Sequence, residues 1–167
     1  QRHRTDCTVD STYQLWTEIT GADARLIFEG EGVGRIAQLA DLGAVGVNAD
    51  GQTTLRIIRA GLNDPMAQSV ALHAVQQIGI ALRTPELAIT MADAPSSEYE
   101  PGALDLVIMP ADALPAEFAA AQPQASAAPL AAMVPTTSGA TTLVLSGPNW
   151  ESIARAGDAL EAAAPAT

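Results

Sequence analysis

Thr54-Leu55-Arg56-Ile57-Ile58-Arg59-Ala60 runs through Gly61-Leu62-Asn63 into Asp64-Pro65, and from there to Leu82 apolar side chains return every three or four residues. The first seven residues, rich in Leu and Ile, read as a strand. Asp64 has the side chain that accepts the free N–H groups of a helix start, and Pro65 has the fixed φ that suits the first helical position. Ala67, Val70, Ala71, Ala74, Val75, Ile78, Ala81 and Leu82 make the inward stripe of that helix, with Ser69, His73, Gln76 and Gln77 on its outer face. A strand followed by an amphipathic helix is half of a βαβ unit and predicts a parallel sheet.

The alternation continues downstream. Pro85 ends the helix and Glu86–Ala92 reads as a second strand. Ala103–Met109, apolar except for Asp105, predicts a central strand covered on both faces. Ala119–Pro129, mostly Ala, Gln and Pro, reads as a loose connector. Leu130–Pro135 and Thr141–Ser146 are strands around the turn Thr136-Thr137-Ser138-Gly139, and Asn149 caps a last helix reaching about Ala164, with Ile153, Ala156 and Leu160 inward. The expected class is α/β: a small flavodoxin-like three-layer sandwich over 53–167 with an N-terminal β-hairpin extension.

Upstream, Tyr13–Ile19 and Arg25–Glu29 flank the turn-rich Thr20-Gly21-Ala22-Asp23 and read as that hairpin. Glycines at 30, 32, 34, 43, 46 and 51 leave room for only one short helix, near Arg35–Leu42. Residues 1–52 are therefore a tail, a hairpin and a Gly-rich connector.

Composition removes several chemistries. The 167 residues are 48% hydrophobic and 16% charged, enough apolar matter for one buried core. All eight basic residues are arginine, so there is no Schiff-base or P-loop lysine. A net charge of −11 repels phosphate backbones and excludes nucleic acid as a partner. Thirty-four alanines against 4% aromatics predict a core of small side chains. No apolar run reaches the ~18 residues of a membrane span, and no charged-then-apolar leader marks a signal peptide. The first residue is Gln1, which reads as an excised or processed chain. Cys7, the sole cysteine, closes no internal disulfide, and thiolate metal clusters are excluded.

Candidate sites are few. Gly30-Glu31-Gly32-Val33-Gly34 with Asp50 twenty residues on resembles a dinucleotide fingerprint, but its spacing is wrong and Glu31 would face the pyrophosphate; a crossing loop is the plainer reading. The loop Gly61–Pro65 stands where a flavin phosphate would bind, and Asp64 puts a carboxylate there instead. No cofactor and no metal is therefore expected. His73 reads as solvent-facing and His3 as part of the tail. Ser146-Gly147-Pro148 lacks the nucleophile-elbow pattern, so no catalytic residue is assigned. Glu98 and Glu100 flank Tyr99 in what reads as a solvated acidic loop. Trp16, Tyr99 and Trp150, with Tyr13, are the side chains able to stack on sugar, although packing explains Trp16 and Trp150 as well.

His3-Arg4 to Cys7 with Ser11-Thr12-Tyr13-Gln14-Leu15-Trp16-Thr17-Glu18-Ile19 resembles the segment before the first flavodoxin-like domain in the periplasmic B (regulatory) subunit of bacterial cellulose synthase. Thr54–Ile58, Asp64-Pro65 with the helix ending Ile78-Gly79-Ile80-Ala81-Leu82-Arg83, Asp105–Met109 and Thr142–Gly147 are similar in order, whereas Pro110-Ala111-Asp112-Ala113-Leu114 departs from that family's turn. The resemblance implies a jelly-roll, carbohydrate-binding-like domain ending in residues 1–52, a second such pair downstream and a C-terminal anchor in the inner membrane. It implies a non-catalytic module in the periplasm that supports the membrane glycosyltransferase and guides the glucan. Its partners would be the catalytic subunit, the neighbouring jelly-roll domains and the cellulose chain. Cyclic di-GMP acts on the family's complex through the catalytic subunit, and no R-x-x-x-R turn is present here to bind it. The resemblance also places the partner of Cys7 upstream. The alternative left open is a flavin- or dinucleotide-binding oxidoreductase domain on the same sheet.

Overall fold

A computed structural model describes Ile36 and residues 38–58, 62–63, 65–82, 84, 86–136 and 139–163. The expected hairpin over Tyr13–Glu29, the Gly30–Gly34 segment, His3, Cys7, Trp16 and Asp64 lie outside these residues. Strands β1 (Thr53–Ile58), β2 (Leu87–Ala92), β3 (Ala103–Pro110), β4 (Leu130–Pro135) and β5 (Thr141–Gly147) form one sheet. Helices α1 (Pro65–Leu82), α2 (Gln122–Ala127) and α3 (Trp150–Ala163) cover it. The protein is thus α/β with a mostly parallel five-stranded sheet, compatible with the small flavodoxin-like sandwich read from the sequence.

The strand order is β2-β1-β3-β5-β4, with β4 antiparallel to β5 and every other pair parallel. In the flavodoxin-type order 2-1-3-4-5 the last two strands are exchanged relative to this one. The cause is local. Only residues 136–140 join β4 to β5, too few for a crossover, so the two strands pair as a hairpin and β4 becomes the antiparallel edge.

Alternation along each strand divides the core in two. Leu55, Ile57, Leu104, Leu106, Ile108, Leu143 and Leu145 face α1 and α3. Ile78, at the centre of the α1 stripe, is fully buried there, and Ile78→Ala is expected to cost about 2–5 kcal/mol in chemical denaturation. A loss below about 1 kcal/mol would mean the stripe does not pack. Ile58, Val107, Met109 and Val144 face the other way, against Phe118 and Ala125.

That second layer corrects the sequence reading of Ala119–Pro129. The connector contains α2, preceded by a 3-10 turn over Ala116–Phe118, because Pro123 stands in the first helical turn and alanine favours the helix. Phe118, fully buried, fixes the connector to the sheet. The short helix expected near Arg35–Leu42 is a 3-10 turn over Leu39–Val45. Its Leu42 and Val45 are buried in the α1/α3 core, so this turn belongs to the same packed unit as the sheet. Thr53 Oγ1 donates to the Gly46 carbonyl at 2.7 Å, tying this turn to the lower, N-terminal end of β1.

Two places on the sheet are thinly covered. Edge strand β2 has Ile89 and Met91 half exposed beside α1. On the opposite face, β2 returns to β3 through residues 93–102, which hold no helix. Such a return must cross β1 on the face away from α1 to stay right-handed.

Candidate functional site

Ligands of parallel α/β sheets bind beyond the C-terminal ends of the strands, where the helix starts and loops converge. Here the described part of that end is closed by its own side chains. Ser146, fully buried, donates its hydroxyl to the Met109 carbonyl at 2.8 Å, tying β5 to β3. Asn149 Oδ1 accepts the Ser152 N–H at 2.9 Å, the cap expected from the sequence. A Cβ on Gly147 would lie 2.8 Å from the Ser152 Cβ, so strand end and helix start are in contact and no methyl-sized group fits between them. The matching loop after β1 contains Asp64, outside the described residues.

The densest polar constellation lies toward the opposite, lower end. The strand register puts Thr90, Arg56, Asp105 and Thr142 side by side across β2, β1, β3 and β5, on the face crossed by residues 93–102. Asp105 is 2% exposed and lies 3.2 Å from Arg56 Nε, while Arg56 Nη2 reaches Glu100 at 2.9 Å. Asp105 Oδ2 accepts the Ser96 N–H at 2.6 Å, and Ser96 Oγ bonds Glu100 Oε1 at 3.2 Å. Burial pushes the Asp105 carboxyl above its ordinary 3.8; the Ser96 N–H and Arg56 pull it down, and Glu100 adds to the rise. Asp105 Oδ1 is close enough to Arg56 for ion pairing but makes no hydrogen bond, and neither does the buried Thr142 Oγ1.

Glu98 and Glu100, read as a solvated acidic loop, are both exposed, and Glu100 is in addition ion-paired to Arg56. Asp105 was noted only as the interruption of its strand, and Arg56 was given no role. Their signal was present: Asp105 is the one charge in its apolar run, and Arg56 interrupts Leu55 and Ile57-Ile58. His73, read as solvent-facing, has its side chain 41% exposed and also finds a partner. It bonds the exposed Asp158 of α3 through Nε2 at 3.1 Å, because the α1/α3 packing brings an acid that the α1 sequence alone does not show.

The two described stacking candidates are not brought together. Trp150, half-buried at the first turn of α3, packs against the α1/α3 core. Tyr99 is exposed in the crossover on the other face of the sheet. Asp50, read against Gly30–Gly34, is exposed in a turn where its N–H bonds Asn48 Oδ1. Among the described residues no three His, Cys, Asp or Glu side chains converge on a metal position, and no helix is long and apolar enough to cross a membrane. In comparisons with known proteins, no family model, no curated protein and no solved structure matches the chain.

Proposed function

We propose that this chain is a non-catalytic structural and interaction module of the bacterial cellulose synthase complex. In this reading it stands in the periplasm beside jelly-roll domains, supports the membrane glycosyltransferase and helps guide the glucan. The observation that supports the non-catalytic part is the closure of the strand end at its described side, where β3, β5 and the start of α3 meet. The Ser146 hydroxyl is committed to Met109, Asn149 to the α3 start, and Gly147 abuts Ser152. Polar groups that would have to converge on a substrate or phosphate are engaged with the backbone instead. The cellulose assignment is supported by the Leu15-Trp16-Thr17-Glu18-Ile19 block and the order of elements that follows it.

The competing oxidoreductase reading requires FMN or a dinucleotide to bind the native state. At about 1 mM, a ligand with a dissociation constant near 10 µM would stabilise the protein by about 2.7 kcal/mol, raising Tm by roughly 5–10 °C. The expected result is an unmoved Tm with either ligand, and a rise of that size overturns the non-catalytic reading. The interaction half is tested separately by co-purification with the catalytic subunit of cellulose synthase, which is expected to retain this chain.

A further inference from the structure

We propose that the open edge of β2 is the seam of a homodimer: two copies pair β2 with β2, antiparallel about a two-fold axis at Thr90, into one continuous sheet. A bare strand edge is ordinarily blunted by a charge, a proline or a bulge. The far edge, β4, ends in Pro135 and exposes no large apolar side chain. Strand β2 reads Leu87-Ala88-Ile89-Thr90-Met91-Ala92, in unbroken register with β1 and with none of these devices. The Glu86 carbonyl accepts the Thr53 N–H, so the even-numbered residues of β2 turn their backbone polar groups to β1. Leu87, Ile89 and Met91 turn theirs to the open edge.

The flank of α1 beside that edge is apolar as well. A Cβ on Gly79 would lie 3.5 Å from Leu87 Cδ2, which identifies the side of the helix that faces β2. Leu72, two turns earlier on the same side, is 72% exposed. It stands about 10 Å along the helix from Gly79, between the levels of Ile89 and Met91, which are about 7 and 13 Å along the strand from Leu87. Ile89 and Met91 share the α1 face with their register partners Leu55 and Ile57, and each is half exposed. The three side chains make one apolar strip along the edge.

Charge selects a second copy as the occupant. Each chain carries −11, so two copies repel wherever their acids meet. From Pro65 to Leu82 and from Leu87 to Ala92 there is no Asp, Glu, Lys or Arg, so a seam along these two elements brings no like charges together. A basic partner, by contrast, finds no acid along it to pair with. The strand itself fits the two-fold. Opposite residues of an antiparallel pair share a face, and with Thr90 on the axis Ile89 of each copy lies against Met91 of the other. These are the residues whose polar groups point outward, so each pair exchanges two backbone hydrogen bonds, while Thr90 faces Thr90 as a non-hydrogen-bonded pair. Leu72 of each copy lies over the four apolar side chains. Glu86 and Asp93 fall opposite Ala94 and Leu87 instead of opposite each other.

Analytical ultracentrifugation from about 1 to about 300 µM is expected to show a monomer–dimer equilibrium with a dissociation constant on the order of 10 µM, because one strand edge and one helix flank make a small interface. Raising NaCl from about 20 to about 500 mM is expected to tighten it at least about threefold by screening the acidic repulsion. Ile89→Lys is expected to stay monomeric at the highest concentration even though it lowers the net negative charge. Val47→Lys, at an exposed valine outside the strip, is expected to dimerise as the wild type does. In a Cys7→Ser background, Thr90→Cys is expected to cross-link two chains on mild oxidation, since the non-hydrogen-bonded pair brings the two Cα atoms to about 4.5 Å. A monomer throughout, a mass that grows beyond two chains, or a dimer that weakens with salt would each overturn the proposal. So would a dimer that survives Ile89→Lys or is lost in Val47→Lys, or a dimeric Thr90→Cys sample that does not cross-link.

Discussion

Gly102→Ala unfolds the protein or costs it upward of about 4 kcal/mol, as read by urea denaturation. Gly102 ends the β2–β3 crossover with φ +70°, and a Cβ there would overlap the backbone nitrogen of Asn48 and the carbonyl carbon of Val47. Both obstacles are main chain, and both lie in the segment that closes the lower end of the sheet. They do not yield by a rotamer change. The Gly102 carbonyl also accepts the Thr54 N–H at 2.8 Å, so a shift of the glycine disturbs β1 as well. Gly51 and Gly139 supply the control: each has positive φ with open space around its Cβ position. Alanine there meets only the left-handed penalty of about 1–2 kcal/mol. If Gly102→Ala costs no more than these two, the close approach is not real.

Arg56→Met is expected to cost about 3–5 kcal/mol at neutral pH, because it leaves the buried Asp105 charge without a counter-ion. Its pH signature separates this cause from lost packing. In the wild-type protein the folded Asp105 carboxyl lies above the unfolded value, so the unfolded chain ionises first as pH rises. Stability falls through that window and is level above it. Arg56 is one of the influences that hold the carboxyl down, so removing it extends the falling window to higher pH. The deficit of Arg56→Met therefore shrinks as pH is lowered and is nearly gone by about pH 3, well under the ~3.9 of an unfolded aspartate, where Asp105 is largely neutral in both states. A deficit independent of pH would show that the arginine acts through its aliphatic stem instead.

Most of the fold was legible because its signals are local. Pro65 and the apolar spacing to Leu82 fix α1. Asn149 fixes the start of α3, and the near-continuous apolar run Ala103–Met109 identifies the central strand. The α2 segment was misread for want of an apolar stripe: Gln122–Ala127 buries only Ala125, and the neighbouring Phe118 does most of the anchoring. The exchange of β4 and β5 depends on pairing partners, which strand propensity does not carry. The same holds for the Arg56–Asp105–Ser96–Glu100 cluster. Arg56 and Asp105 are far apart in sequence, and only the parallel register of β1 on β3 makes them neighbours. A charge set among the apolar residues of a strand announces that a partner is needed without saying which one.

Leu42 and Val45 precede the first strand yet fill the space below α1 and α3. An autonomous folding unit therefore cannot be trimmed to its first strand. A gene fragment starting at Thr53 would encode the whole sheet and still expose part of the α1/α3 core, so the natural cloning boundary falls before Leu39, inside what reads by composition alone as dispensable glycine-rich tether.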